Sequence, residues 1–432
     1  MTRKLLVTFL ALSVAISSFA QKWAPVGNNI KTEWTSKIDP SNPLPEYPRP
    51  QMVRKNWVNL NGLWNYAITE ASAESFKSEG RILVPYAVES SLSGVGRRIT
   101  KNDALWYERS FSIPKDWEGK NVLLHFGAVD WQAEVYVNDQ QVGEHKGGYD
   151  PFSFDITPYL KKSGKQTVKV KVQDATDNGF QPRGKQCIIN TGIWYTPVSG
   201  IWQTVWLEPV APAHIENYYV VSDVDKSTMT IEVDANTSEG DVVKVAVLDG
   251  GQGYSAENPS SKVIAEARVQ NGKAEIKIDN MKTWSPDCPY LYGVRLTVTR
   301  DGKVVDTVEG YTAMRKISIV KDKSLNAYHR MALNNDPLFQ FGPLDQGWWP
   351  DGLYTAPTDE ALKFDVVKTK ELGFNMIRKH VKVEPARWYW HCDRLGMLVW
   401  QDMPNTYDNA KTQWNYSGFD LVTVNAMTSE EG

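Results

Sequence analysis

The sequence has few cysteines, no excess of either charge and, after residue 20, no long hydrophobic run. Its three cysteines, Cys187, Cys288 and Cys392, are far apart, which excludes a disulfide framework and gives no zinc-ligand spacing. The odd number leaves at least one thiol free in an exported chain. The formal net charge of -3 gives no electrostatic support for a nucleic-acid or anionic-membrane partner. Stability must therefore come from hydrophobic cores.

The first residues have the pattern of a secretion signal. Arg3 and Lys4 give a positive start, and residues 5–16 form an apolar run too short to span a bilayer. Small residues just before Gln21 predict cleavage there, so residues 1–20 are predicted to be a signal peptide and the protein to be periplasmic or secreted. A membrane anchor is the alternative. However, no cysteine follows the run to take a lipid, and no later stretch is apolar enough to cross a membrane.

Two all-β units are predicted after an extended, proline-rich lead-in. Residues 45–210 contain alternating apolar and polar runs with no helical periods between them, which favours an antiparallel sandwich of the jelly-roll type. Residues 211–316 fit an immunoglobulin-like β-sandwich of about a hundred residues, without the cysteine pair of antibody domains. The predicted strands are 63–66, 104–113, 121–126, 133–137, 166–173, 201–207, 229–233, 242–248, 274–278, 292–299 and 303–308.

Residues 317–432 change to alternating strands and helices. Thr358 is a predicted helix cap followed by acidic residues, and Gly373 ends that helix. A second helix is predicted between Pro385 and Gly396. This alternation indicates parallel β/α units, so the segment is predicted to be the N-terminal part of a (β/α)8 TIM barrel. An eight-fold barrel needs roughly 250 residues, so about three of eight units are expected. The predicted strands are 337–341, 374–377 and 397–400.

Several short motifs follow one another in a fixed order. They are NLNGLW at 59–64, WYER at 106–109, FGAVD at 126–130, VYVN at 135–138, GGYDPF at 147–152, SGIW at 199–202, GFNMIR at 373–378 and LGMLVWQD at 395–402. Each motif is weak by itself, but their shared order resembles glycoside hydrolase family 2. That family includes β-galactosidases, β-glucuronidases and β-mannosidases. One departure is Asp139, which replaces the glycine usual after the VYVN motif.

The resemblance implies a retaining glycosidase that acts on β-linked sugars, and no cofactor is expected. Retention requires two carboxyl groups about 5–5.5 Å apart. In the family both are glutamates on later barrel strands, and the acid/base follows an asparagine. Residues 317–432 contain no Asn-Glu step, so no catalytic residue is assigned, and this chain alone is expected to be inactive because its barrel is truncated. A substitute pair formed by Glu384 and Asp402 is an alternative.

β-Galactosidase-like activity is the leading expectation, from frequency within the family only. Two alternatives stay open, a non-catalytic carbohydrate-binding protein and an inactive remnant. The expected partner in each functional case is a carbohydrate, with no nucleic acid and no membrane. The particular sugar, the oligomeric state and any metal requirement are not predicted.

Four candidate sugar-binding residues follow the second and third predicted barrel strands. Arg378 can hold a neighbouring carboxylate with two hydrogen bonds, and His380 can bond a sugar hydroxyl. The family pattern is Arg-x-Ser-His, so the histidine here stands one place early, and a structural role for it remains open. Trp400 can stack on a sugar ring or belong to the barrel core, and Asp402 can accept from a hydroxyl.

Four further candidates lie on loops. Asp174 resembles an acidic residue that the sandwich domain of the family sends into the active site, and a solvated loop acid is the alternative. Asp345 follows the first predicted barrel strand and is a possible hydroxyl ligand. Trp348 and Trp349 are predicted to form an aromatic platform at the entrance. Most of the 17 tryptophans are expected to fill sandwich cores instead.

Overall fold

The structure, a computed structural model, describes residues 23–322 and 328–405. The predicted signal peptide lies outside the described residues. The lead-in contains a short 3-10 helix, Glu33–Lys37, whose Trp34 is buried. All three cysteines fall within the described part, and none of them forms a disulfide. Neither of the two α-helices described there is long and apolar enough to cross a membrane.

The first sandwich is antiparallel throughout. Its strands form one sheet in the order β1-β12-β5-β9, a larger sheet in the order β3-β2-β4-β10-β7-β8, and the short pair β11-β6. Alternation in the sequence explains the core, since β10 buries every second residue, including Val168, Val170 and Val172. The strands are β1 (Val58–Asn59), β2 (Gly62–Glu70), β3 (Gly80–Val84), β4 (Asp103–Phe111), β5 (Asn121–Phe126), β6 (Val129–Asp130), β7 (Gln132–Val137), β8 (Gln140–Lys146), β9 (Phe152–Asp155), β10 (Gln166–Gln173), β11 (Gly200–Ile201) and β12 (Val205–Val210).

The second sandwich has three strands facing four, in the orders β13-β14-β17 and β16-β15-β18-β19. This arrangement agrees with the predicted immunoglobulin-like unit. Its core is aliphatic, with Ile231, Val247 and Leu296 fully buried. The strands are β13 (His214–Asp223), β14 (Thr228–Asn236), β15 (Val242–Gln252), β16 (Val263–Arg268), β17 (Lys273–Lys277), β18 (Tyr290–Arg300) and β19 (Lys303–Thr312).

A small antiparallel sheet follows, which the sequence analysis does not predict. It contains β20 (Ile317–Asp322), β21 (Tyr328–Leu333) and β22 (Asp336–Pro337) in that order. The apolar residues of β20 do not mark a buried face of this sheet, because Ile317 and Ile319 are exposed. This sheet separates the second sandwich from the β/α segment, so the β/α pattern does not begin directly at residue 317.

The last described segment contains a parallel sheet. Its elements are β23 (Leu344–Asp345), α1 (Asp359–Glu371), β24 (Met376–Lys379), α2 (Ala386–Leu395) and β25 (Leu398–Gln401), and the strands pair in the order β23-β24-β25. The predicted cap is present, because the Thr358 hydroxyl accepts from the amide of Ala361 at 3.1 Å. Gly396 has φ of 76° at the end of α2, a left-handed conformation that favours glycine.

The first predicted barrel strand, at 337–341, is wrong. The first parallel strand is β23, a few residues later, and Asp336–Pro337 belongs to the antiparallel sheet. Pro337 and Pro343 lack amide donors, so this stretch cannot form a continuous ladder with β24. Gly342 passes so close to the carbonyl of Met376 that a side chain would overlap it.

Candidate active site

The parallel sheet has one open face and one face covered by helices. Strand pairing places Leu344, Arg378 and Trp400 side by side, and each of the three is between 43% and 51% exposed. The next residues along, Asp345 and Lys379, lie on the opposite face because side chains alternate along a strand. Helices α1 and α2 pack against that opposite face. The eight candidate residues are thereby divided between two different environments.

Arg378, His380 and Asp402 form one hydrogen-bonded group at the carboxyl ends of β24 and β25. The Arg378 guanidinium donates from Nε to both Asp402 oxygens at 3.1 Å and lies 2.9 Å from Oδ2 through Nη2. His380 Nδ1 is 2.9 Å from the same Oδ2. Burial opposes the ionised carboxylate, but the bonds from Arg378 and His380 hold the pKa of Asp402 below its usual value. Asp402 is therefore an acceptor at neutral pH.

Trp400 stands next to this group on the open face. Its side chain is 43% exposed, and its Nε1 donates to Gln340 Oε1 at 2.6 Å. The bond fixes the indole in place while one part of the ring remains accessible. An accessible ring face is what stacking on a sugar requires, and ring stacking and barrel core both stay predictions for Trp400.

Asp345 does not join the Arg378 group. Its Oδ2 accepts from Lys379 Nζ at 2.8 Å, and its Oδ1 accepts from the amide of Gly347 at 2.7 Å. Lys379 also donates to Glu384 Oε1 at 2.8 Å, and Lys382 Nζ is 2.9 Å from the same oxygen. Burial disfavours the charge on Lys379, but Glu384 and Asp345 together raise the pKa of its ammonium above the usual value.

The two tryptophans of the predicted platform point in different directions. Trp348 is half-buried beside Tyr354, at 4.6 Å between ring centroids, and Tyr195 of the first sandwich lies 4.9 Å from it. Trp349 instead packs edge-on against Trp34 of the lead-in at 5.8 Å. The paired platform is thus not formed, because the second indole is used to pack the lead-in against α1.

Asp174 lies inside the first sandwich rather than at the ends of the parallel strands. It is 1% exposed, and it accepts from the Thr176 amide and Gln181 Nε2 at 2.7 Å and from the Ser199 hydroxyl at 2.6 Å. Burial raises the pKa of its carboxyl, and these bonds lower it in part. The expectation that this side chain reaches the sugar is corrected, since its oxygens fix the base of the 174–199 loop.

The same loop does reach the strand ends, through its backbone. The amides of Arg183 and Gly184 donate to the Asn405 carbonyl at 3.0 and 3.2 Å. Gly184 has φ of +58° and lies against the carbonyl of Val381, where a side chain would overlap that oxygen. Neither these contacts nor Tyr195 are predicted from the sequence. The aromatic pair at 194–195, in a loop between two strands, was the available signal.

The site has hydrogen-bonding and stacking groups but no exposed pair of acids among the described residues. Glu384 and Asp345 share Lys379, and the Glu384 side chain is 3% exposed. Asp402 is bound by Arg378 and His380. No group of three or more His, Cys, Asp or Glu side chains in residues 23–322 and 328–405 is placed to hold a metal ion. The arrangement can bind hydroxyl groups and a ring face.

Curated relatives resemble most of the chain, at modest identity. A β-galactosidase of Thermoanaerobacter pseudethanolicus is 29% identical over 323 residues, which are 72% of this chain and 40% of that protein. A β-glucuronidase of Bacteroides fragilis is 24% identical over 355 residues, 80% of this chain and 49% of the relative. The chain thus spans about two-fifths to one-half of the length of these relatives.

The fold is also found in solved structures and family models. A β-glucuronidase from Ruminococcus gnavus superposes with a TM-score of 0.68 at 21% identity, covering 84% of this chain and 61% of that one. The model described as "Glycosyl hydrolases family 2, sugar binding domain" matches residues 84–210, and "Glycosyl hydrolases family 2" matches residues 213–315. The two segments correspond to the two sandwiches and together make up more than half of the sequence. The chain belongs to glycosyl hydrolase family 2.

Proposed function

We propose that this chain recognises β-linked sugars as part of a retaining β-glycosidase. The observation that carries the proposal is the Arg378–His380–Asp402 group on the open face, with Trp400 beside it. An ionised acceptor, a fixed guanidinium and an accessible indole suit the hydroxyls and the C–H face of a sugar ring. Relatives named β-galactosidase and β-glucuronidase support this class of substrate.

A neutral sugar such as a β-galactoside is proposed in preference to a glucuronide. Among the described residues at the strand ends, the accessible Arg378 is paired with Asp402, and the buried Lys379 and Lys382 are both paired with Glu384. The carboxylate of a uronic acid would have to displace one of these partners or remain unpaired. Because both outcomes cost binding free energy, the charges of the described residues support a neutral ligand.

A second candidate function is sugar binding without cleavage. It is favoured because Asp345 and Glu384 both pair with Lys379. This pairing leaves neither acid available to donate a proton or attack a sugar carbon. On this reading the described residues supply recognition only. We also propose that the protein is exported, and that the open face of the parallel sheet belongs to the interior of a TIM barrel that begins near residue 317.

Calorimetric titration of the purified chain tests the proposal. Methyl β-D-galactopyranoside should bind saturably, and methyl β-D-glucuronide should bind more weakly. Arg378→Ala should weaken galactoside binding about tenfold or more, because it removes a charged donor and releases Asp402. Arg97→Ala is the matched control, since Arg97 forms a similarly exposed ion pair with Glu79 in the first sandwich.

Two results would contradict these assignments. Absence of saturable binding to either glycoside, or equal affinity in wild type and Arg378→Ala, would reject recognition at the strand ends. Release of nitrophenol from nitrophenyl β-galactoside, at a rate that follows the protein through purification, would reject the candidate of binding without cleavage. A glucuronide that binds more tightly than the galactoside would reject the preference for a neutral sugar.

A further inference from the structure

A buried lysine, Lys382, occupies the junction between the parallel sheet and the first sandwich. Its side chain is 1% exposed. Its Nζ donates to the carbonyls of Gly347 at 2.7 Å and Tyr354 at 2.9 Å, and it lies 2.9 Å from Glu384 Oε1. An ammonium has three donors, so these three acceptors use all of them. Ring faces complete the environment, with the Tyr354 centroid at 4.7 Å and the Trp202 centroid at 5.6 Å.

The two carbonyls bracket the segment that carries the half-buried Trp348. Residues 347–354 turn back on themselves, because the amides of Trp349 and Leu353 each donate to the other residue's carbonyl at 2.8 and 2.9 Å. Lys382 therefore binds both ends of one compact turn. Trp348, within that turn, contacts Tyr354 and Tyr195. Holding the turn holds this indole beside the 174–199 loop.

Stability alone does not account for a lysine at this position. Removing an ammonium from water is costly, and apolar residues in place of a whole buried ion pair often stabilise a site as well or better. Burial lowers the pKa of Lys382 to about 8, and the charge of Glu384 opposes that change. All three donors of Lys382 are directed at one turn and one carboxylate. This arrangement suits a residue that holds the turn in position.

We propose that Lys382 is a positioning residue that fixes the 347–354 turn, and with it Trp348, at the edge of the sugar site. This role rests on the sugar recognition proposed above. Lys379 provides a matched control, because it is equally buried in the same ion-pair network but donates to Asp345 and Glu384 rather than to the turn. The two lysines therefore separate loss of buried charge from loss of the direct bonds to the carbonyls of the turn, since Lys379 reaches Gly347 only through Asp345.

Amide hydrogen exchange of the full chain measures the turn without any ligand. Lys382→Met should speed exchange at the Trp349 and Leu353 amides about tenfold or more, while Lys379→Met should leave them within about twofold of wild type. Both variants should lower the melting temperature, because each removes one of the two lysines that pair with the buried Glu384. Lys382→Gln keeps two donors and should give an intermediate increase, so the experiment does not depend on the folding of one variant.

Titration with methyl β-D-galactopyranoside supplies the second readout. Lys382→Met should weaken binding about tenfold, and Lys379→Met should weaken it less. Unchanged exchange at Trp349 and Leu353 in both Lys382 variants would overturn the inference, as would equal effects of Lys379→Met and Lys382→Met on the turn. If wild type binds no glycoside, sugar recognition fails, while the exchange rates still decide whether Lys382 holds the turn.

Discussion

Glu89 should make the first sandwich less stable as the pH rises. Glu89 is buried with two other acids, Asp130 and Asp174, which are 0% and 1% exposed. Ser199 joins two of them, because its amide donates to Glu89 Oε2 at 2.9 Å and its hydroxyl donates to Asp174 Oδ2 at 2.6 Å. Burial raises the pKa of Glu89 from 4.5 to about 8; the bonds from Ser199 lower it in part, and the charge of Asp174 raises it.

The sign of the effect follows from proton binding. Above about pH 4.5 the unfolded chain releases a proton that the folded chain keeps, so the stability linked to this proton is fully present below that pH. It is lost as the pH rises through about 8. A shift of this size corresponds to about 5 kcal/mol. Glu89→Gln replaces the neutral acid with a neutral amide, so the variant should lose much less stability between pH 5 and pH 8.

Scanning calorimetry at pH 5 and pH 8 measures this difference. Between pH 5 and pH 8 about 3.5 kcal/mol of this is lost, because the unfolded chain is already partly ionised at pH 5 and the folded chain is half ionised at pH 8. For a sandwich of this size, that corresponds to about 7–14 °C in melting temperature. Glu118→Gln is the control, since Glu118 is exposed in the same sandwich. If wild type and Glu89→Gln lose equal stability over this range, Glu89 is not protonated in the folded chain, and the reasoning is refuted.

Three further predictions concern the β/α segment and its contacts. Thr358→Ala should lower the free energy of unfolding by about 1 kcal/mol in urea titrations, because it removes the cap of α1. Gly184→Ala should weaken galactoside binding and lower the melting temperature, since its side chain would displace the carbonyl of Val381. Asp402→Asn should weaken galactoside binding about tenfold or more in calorimetric titrations while changing stability by less than about 1 kcal/mol, because its partner Arg378 is half exposed.

The regular elements were predictable because their signals are local. Alternating apolar and polar residues predicted strands such as β10. The Thr358 cap predicted the start of α1, and Gly396 predicted the end of α2. The strand predicted at 337–341 failed because alternation of apolar residues does not reveal which neighbour a strand pairs with. Prolines at 337 and 343 were the contrary signal.

The site was predictable only in part, since side-chain direction depends on tertiary packing. Arg378, His380 and Asp402 were grouped by their positions at the ends of the second and third predicted barrel strands, and the structure joins them. Asp174 was assigned from the resemblance to the family and Asp345 from its position after a strand, but both turn inward to partners distant in sequence. The lysine network around Glu384 could not be predicted from the sequence, because no local pattern distinguishes the buried Lys379 and Lys382 from exposed lysines.

A crystal structure of the chain with methyl β-D-galactopyranoside tests the central claim most directly. The sugar should lie on the open face of the parallel sheet, with its hydroxyls within hydrogen-bonding distance of Asp402 and Arg378 and one ring face on Trp400. Sugar density elsewhere, with the Arg378–Asp402 pair unoccupied at saturating ligand, would contradict it.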